Sequence, residues 1–503
     1  MPLSLSDVHQ VTALLKQLHQ DRALLDQLPI EDAKALLEAA GRLASPPKDS
    51  TYRFLRHQNK QERLAKRLKD RAARAETSIR QARKAAVFVP PSNLLGSGVS
   101  AQPRTGRFLE KPFHCYVCKA EFREIHHFYD SMCLACGDHN YLKRFQTAPL
   151  EGKVALLTGA RVKIGFQASL MLLRSGARVI ATTRFPHDAS LRYAKEADFQ
   201  QWAHRLEIYG LDLRHAPSVE VFCKYLVNTH DRLDILINNA AQTVRRPPGF
   251  YRHLSELENA PRSTLPNASQ HLLVGHSALV EQVRPRTPST ALPTFRSHDP
   301  AVGVHSSAAL SLVPYDLEQD VADAFPLGKL DADLQQVDLR TVNSWRLTLG
   351  EVATSEMLEV HLVNAVAPFI LCGKLRTLLT RHRETGWGHV VNVSAMEGSF
   401  SRGTKTDKHP HTNMAKAALN MLTLTSASDY ASSRVAMNAV DTGWVTDEDP
   451  IQHAERKTHQ LGFEPPLDIV DGAARVVDPV FEAERTQSVV WGKFFKDYKP
   501  TAW

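Results

Sequence analysis

Six short apolar runs between Val154 and Val440 (VALLTG, ARVIATT, RLEIYGLDL, LDILINNA, HVVNVSA and RVAMNAV) alternate with stretches of helical spacing. Strands buried on both faces need such runs, and their alternation with helices predicts an α/β fold with a doubly wound parallel Rossmann sheet from Glu151 onward. The first run leads directly into a glycine turn, a helix and a second strand, in VALLTGARVKIGFQASLMLLRSGARVIATTRF. That order aims the backbone N–H groups of a helix N-terminus at one point outside the strand ends, a place suited to a nucleotide pyrophosphate.

A chain of 503 residues has room for more than one core. The reading divides it into a helical N-terminal region with a basic helix (1–88), a small cysteine module (108–148) and the Rossmann domain (151–503). Leu14, Leu15 and Leu18, Leu24, Leu25 and Leu28, then Leu36 and Leu37 recur at helical spacing around Pro29, which predicts a small helical hairpin. The Pro-, Ser- and Gly-containing stretch Val89–Arg107 reads as a linker. The section from about 245 to 336, rich in Pro, Ser and His, exceeds a strand-to-helix connection and reads as an insertion on the rim of the sheet.

Residues 51–86 carry 12 Lys/Arg against 3 Asp/Glu, an excess of nine, one more than the whole chain's +8. The basicity thus belongs to one helix, expected to be solvated, and it offers no base-reading motif, so nucleic acid is disfavoured as a partner. No run of eighteen uncharged apolar residues and no secretory pattern occurs, so the expectation is a cytoplasmic protein without a membrane partner.

Cys115-x2-Cys118 and Cys133-x2-Cys136, fourteen residues apart, bring four thiolates to the spacing of one tetrahedral zinc. Four sulfurs close the coordination shell, which makes the zinc structural. Two reduced, packed cysteine pairs are the alternative, and His114, His126, His127 and His139 are surface or supporting groups.

The glycine turn, the NNA and the later motifs resemble the short-chain dehydrogenase/reductase family, in an atypical form. The family's TGxxxGxG turn is matched by Thr158, Gly159, Ala160, Arg161, Val162, Lys163, Ile164 and Gly165, with Lys163 at the middle glycine. The resemblance implies that Asp212 lies beside the adenine, that Asn239 and Ala240 close the fourth strand, and that Thr446 holds the nicotinamide amide. Where an acidic residue would meet the ribose, Thr183 and then Arg184 stand, with Arg161 in the turn, so NADP(H) is favoured over NAD(H).

Chemistry in that family rests on Ser, Tyr and Lys with an Asn. Lys416 matches the lysine, which also borders the cofactor, and Asn364 matches the asparagine. Thr412 stands at the tyrosine, and Ala395 at the serine, with Ser394 one residue earlier and on the other side of a regular strand. His409 and His411 lie near the missing tyrosine. The reading is an NADP(H)-dependent oxidoreductase acting on an unknown carbonyl or alcohol. The alternative is a catalytically degenerate NADP(H)-binding scaffold or sensor that engages a partner through the N-terminal modules. A homo-oligomer is open, as helices flanking such sheets form subunit interfaces in the family.

Overall fold

The computed structural model describes residues 4–45, 48–89, 104–284, 299–314, 322–384 and 386–503. The chain forms two compact units that divide between Arg71 and Ala72. Most of the presumed linker, 90–103, and parts of the insertion, 285–298 and 315–321, lie outside the described residues.

In the first unit, α1 (Leu5–Gln20) starts at a capping box in which Ser4 and Asp7 exchange bonds, and Asp21 then caps a 3-10 turn, Arg22–Gln27. Helix α2 spans Ile30–Ala44 after Pro29. Neither α1 nor α2 buries a side chain, and Leu5, Ile30 and Leu43 are 78%, 83% and 78% exposed. The leucine spacing thus predicts the helices but not a packed hairpin: the apolar stripes do not meet over a shared core.

The basic segment becomes α3 (Lys48–Ala75) and α4 (Ser78–Arg83). Residues 55–69 are exposed, as expected of a solvated helix, but the end of the segment is not. Arg74 and Arg80 both pair with buried Asp130, at 2.8 and 2.5 Å, Arg80 also meets Glu464, and Arg83 donates to the Leu467 carbonyl at 2.7 Å. Those cations are structural ties within the second unit.

The cysteine module contributes the antiparallel pair β1 (Phe108–His114) and β2 (Glu121–Glu124) and helix α5 (Leu134–Lys143). The main sheet follows, with β3 (Val154–Thr158), β4 (Arg178–Thr183), β5 (Leu206–Gly210), β6 (Ile235–Asn238), β7 (Gly388–Ser394), β8 (Val435–Asp441), β9 (Phe494–Lys496) and β10 (Lys499–Thr501). Its order is β10-β9-β8-β7-β6-β3-β4-β5, with every pair parallel except β9-β10. The chain winds outward from β3 to β5, then returns to place β6 on the other side of β3. This switch point opens a crevice at the strand C-termini, where open α/β sheets bind ligands.

Period-two alternation splits the strands between two cores. Ala155 and Leu157 face α6 (Lys163–Arg174) and a late helix at Ile469–Thr486, while Leu156 faces the helices at Ala216–Thr229 and Ala367–Thr380. The segment Thr354–Thr380 is long and apolar enough to cross a membrane by length and composition alone. Half of that window is buried, and Leu371, Leu375 and Leu379 pack on the sheet as a core helix does.

The C-terminal tail adds strands that the sequence pattern did not predict. Asp497 and Tyr498 both take positive φ, 47° and 68°, and turn β9 into β10, while β9 pairs with β8. The insertion covers the β5 edge, where His276 Nδ1 accepts from Gly210 N–H at 3.3 Å, and residues 331–343 reach over the strand C-termini.

Candidate functional site

The glycine turn after β3 is built by close approach. Gly159 takes φ +70°, and a Cβ there would lie 2.8 Å from Ala240 Cα; one on Gly165 would lie 2.1 Å from the Gly159 carbonyl oxygen. Asn239 Nδ2 donates to the carbonyls of Thr158 and Gly159, at 3.0 and 3.2 Å, and Ala240 N–H donates to Thr158 Oγ1 at 3.1 Å. The NNA thus acts as the clamp that shapes the turn. Lys163 adopts φ +54°, the left-handed conformation that glycine supplies, at a cost on the order of 1 kcal/mol. Its ammonium lies 3.9 Å from Asp333. The lysine therefore keeps the turn's shape, and its side chain leans toward the insertion.

A cavity of about 550 Å³ opens over this turn, large enough for a dinucleotide to lie along it. Its walls bring together Gly159, Arg161, Lys163, Ile164 and Gly165 from the turn, Arg184 and Asp212 from the outer strands, Asn239 and Ala240, and Thr446 beyond β8. Thr158 lies buried behind the turn.

At the outer end the two candidate arginines differ. Arg161 is paired with Asp188 at 2.7 Å, and Asp188 also holds Arg192 at 2.6 Å. Arg184 is held by hydroxyls, Ser311 Oγ at 3.0 Å and Tyr251 OH at 2.8 Å, with its guanidinium 4.7 Å from the Tyr251 ring centre. Arg184 has no carboxylate hydrogen bond, although its charge also acts on the nearby buried Asp212. Asp212 is fully buried beside Arg214, at 2.6 Å, and is held below the usual carboxylate range, with the guanidinium attraction outweighing its desolvation. Arg214 escaped the sequence reading, although its position two residues after Asp212 is a simple local signal.

The insertion closes one side of the cavity. Arg192 donates to the carbonyls of Asp333 and Leu334, both at 2.9 Å, Arg161 reaches Gln335, and Asn343 Nδ2 donates to the Glu448 carbonyl at 2.8 Å. Glu448 is a half-buried carboxylate that accepts from Thr446 Oγ1 at 2.9 Å and Thr243 Oγ1 at 3.3 Å. Despite desolvation, its pKa is lowered, with Lys163 and Arg246 the leading charges. Thr446 thus already has one partner, and no motif pointed to Glu448.

The four catalytic candidates do not bond to one another. Asn364 lies in a π-helical turn, Leu362–Val366, between α-helical segments; its Oδ1 accepts from Gln242 N–H at 2.9 Å and its Nδ2 donates to the Gln242 carbonyl at 2.8 Å. Thr412 Oγ1 donates to the Thr243 carbonyl at 3.3 Å. Ser394 stays in regular register opposite Asp441, and its Oγ donates to Asn420 Oδ1 at 2.5 Å, so no bulge turns it toward the cavity. Lys416 Nζ donates to the Val393 carbonyl at 2.8 Å, and burial pushes its pKa down to about 8. None of these four side chains is among the cavity walls.

His409, at the start of the Pro410–Ser432 helix, stacks on Trp345 with centroids 4.0 Å apart, and its Nδ1 contacts the Trp345 carbonyl. His411 is buried with neither ring nitrogen hydrogen-bonded among the described residues, and burial holds its pKa below the ordinary value. Neither histidine faces the cavity.

In the cysteine module, the Sγ atoms of Cys115, Cys118, Cys133 and Cys136 all lie within 4.8 Å of one another, and Cys118 and Cys133 are 3.7 Å apart. A tetrahedral site with Zn–S bonds near 2.3 Å has edges of about 3.8 Å, so the donor set fits zinc. The neighbouring His126 has an internal role: its Nδ1 accepts from the N–H groups of Phe128 and Tyr129, and its ring lies under Gly137, where a Cβ would come within 2.6 Å.

Comparison with known proteins agrees with this geometry in one segment. Residues 153–257 match the family model for short chain dehydrogenase. Uncharacterized protein R665 of Acanthamoeba polyphaga mimivirus is 29% identical over 388 residues, which cover 75% of this chain and 73% of the viral protein. Human retinol dehydrogenase 13 is 33% identical over 93 residues, 18% of this chain and 28% of that enzyme's own length. Among solved structures, the Pseudomonas aeruginosa RhlG/NADP active-site complex aligns at TM-score 0.41 and 15% identity, covering 69% of this chain and 94% of that one. NADPH-bound carbonyl reductase from chicken fatty liver aligns at TM-score 0.41 and 16% identity, covering 70% and 100%.

Proposed function

We propose that this chain is an oxidoreductase of the short-chain dehydrogenase/reductase type that binds NADP(H) and acts on a carbonyl or alcohol carbon. The observation that carries the reading is the cavity at the sheet's switch point, with a close-packed glycine turn at its floor and Arg184 held by hydroxyls rather than a carboxylate at its outer end. The turn and the N-terminus of α6 would receive the pyrophosphate, Arg184 the 2′-phosphate, and Thr446 the nicotinamide amide. NADP(H) supplies the hydride donor or acceptor when bound.

Proton handling falls to the chain. Lys416, whose burial brings its pKa down to about 8, is the candidate for proton exchange close to neutral pH, and Asn364 orders the Gln242 backbone. Thr412 lacks the acidity of a phenol and serves to hold Thr243. The four thiolates are assigned to a structural zinc, because the donor set closes the coordination shell.

Fluorescence titration of metal-replete protein with NADPH and with NADH tests the cofactor reading, and NADPH should bind more tightly. A screen of carbonyls and alcohols follows, with Lys416→Ala as control. A second reading, a cofactor-binding scaffold without turnover, is favoured by one observation: Asn364 and Thr412 both spend their side chains on the 242–243 loop. Turnover that Lys416→Ala abolishes would remove that reading.

A further inference from the structure

We infer that the four-cysteine module positions the nicotinamide-side wall of the cavity, so that metal in the thiolates and NADP(H) in the cleft bind cooperatively, with Tyr116 as the positioning residue. The inference rests on the zinc and NADP(H) readings above and goes beyond both.

Tyr116 lies between Cys115 and Cys118, so two metal ligands fix the backbone that carries it. Its N–H donates to the Ser131 carbonyl at 2.8 Å, which ties the first knuckle to the approach of the second. Its hydroxyl accepts the N–H of Trp444 at 3.0 Å, and a Cβ on Gly443 would lie 3.2 Å from the same oxygen. The loop leaving β8 therefore rests its backbone on the Tyr116 hydroxyl. Gly443 turns there at φ +75°, with its N–H on Asp441 Oδ1 at 2.8 Å, and Val445 and Thr446 then enter the cavity wall.

A second connection runs through apolar packing and ion pairs. Cys115, Ile125, Tyr129, Val445 and Ile469 share one buried cluster, with Ile164 of the glycine turn packed against it. From the module, Tyr129 OH donates to Asp471 Oδ1 at 2.5 Å, and Arg144 holds Asp468 at 2.7 Å. Asp468 caps the helix whose first residue, Ile469, lines the cavity. Metal binding would join the two knuckles directly, beyond the β1–β2 pair, the buried cluster and the Tyr129 and Arg144 contacts that already hold the module. Whatever factor the metal adds to NADPH affinity, NADPH must add to metal affinity.

The test uses the full chain. Zinc content is measured on reduced protein, NADPH affinity is titrated before and after removal of zinc by a chelator, and zinc transfer to the chelator is timed with and without NADPH. Tyr116→Phe is titrated in parallel, because it keeps the ring and all four thiolates. Expected are one zinc per chain, at least about tenfold weaker NADPH binding without it, slower zinc loss in NADPH, and about three- to tenfold weaker NADPH binding in Tyr116→Phe at full zinc content, the range of one neutral hydrogen bond. If circular dichroism shows that the stripped chain unfolds, Tyr116→Phe and the timed zinc transfer decide. Equal NADPH affinity in Tyr116→Phe, with zinc loss indifferent to NADPH, overturns the linkage. A reduced chain without zinc overturns the metal reading instead, and zinc-loaded protein that ignores NADPH overturns the cofactor reading.

Discussion

Arg184→Ala isolates the choice between the two dinucleotides. Arg184 follows β4, where Thr183 leaves no carboxylate to repel a phosphate, and its guanidinium is oriented by Ser311, Tyr251 and the faces of Tyr251 and Phe185. A charge-assisted hydrogen bond contributes about 1.5–3 kcal/mol, so its loss should raise the NADPH dissociation constant about 10- to 150-fold. NADH has no 2′-phosphate and should change by less than about threefold. The alanine leaves two hydroxyls that water can satisfy, so the fold should survive. Arg161→Ala is the counterpart: its pairing with Asp188 makes it a structural cation, and its removal should cost thermal stability more than cofactor selectivity. Both variants are titrated by nicotinamide fluorescence at several salt concentrations, since a phosphate contact weakens with ionic strength. If Arg184→Ala weakens NADPH and NADH equally, or leaves NADPH unchanged, the guanidinium does not read the 2′ position and the NADP(H) assignment loses its physical basis.

Gly165→Ala should destabilise the fold by about 1–3 kcal/mol in denaturant titration and abolish NADPH binding, because the new Cβ would meet the Gly159 carbonyl oxygen, a backbone atom, at 2.1 Å and Asn239 Nδ2 at 2.5 Å. Lys163→Gly should keep stability within about 1 kcal/mol, as relieved strain at φ +54° offsets the added freedom of the unfolded chain. It should also leave NADPH affinity within about threefold, and a tenfold loss would make the ammonium a phosphate ligand. Lys416→Met should change how stability depends on pH: the native lysine has a pKa near 8 against 10.5 for an exposed lysine, so below about 8 both states carry the proton and the native state bears the full penalty. Between about 8 and 10.5 the unfolded chain binds more protons and wild-type stability rises. The methionine variant should therefore lose up to about 3 kcal/mol relative to wild type across that window, and parallel pH profiles would refute the depressed pKa.

The parallel strands were legible because burial on both faces demands unbroken apolar runs, and the glycine turn because its strand, glycines and helix are consecutive in sequence, although Asn239 and Ala240, which clamp it, come from another strand. The edge pair β9 and β10 was not, since each strand is three residues long and its pairing depends on a turn at Asp497 and Tyr498 and on β8. The orientation of Ser394 followed from strand alternation alone. Arg161 and Arg184 looked equivalent in sequence, and what separates them is Asp188 against Ser311 and Tyr251, partners 27, 127 and 67 residues away. The same holds for the basic segment: a charge run announces solvation, but Arg74 and Arg80 meet Asp130 only because the module folds back onto them, 56 and 50 residues later.

The two ends of the 239–243 segment are held from different sides. Asn239 and Ala240 face the glycine turn and shape the cofactor floor, whereas Gln242 and Thr243 are gripped from behind by Asn364 and Thr412. The Thr412 hydroxyl ends on the Thr243 carbonyl, and Lys416 donates to the Val393 carbonyl. Asn239 and Ala240 therefore shape the floor of the cavity, while Asn364 and Thr412 hold residues 242–243 through three hydrogen bonds. An NADPH affinity, however high, therefore speaks for the fold and the cavity floor before it speaks for catalysis.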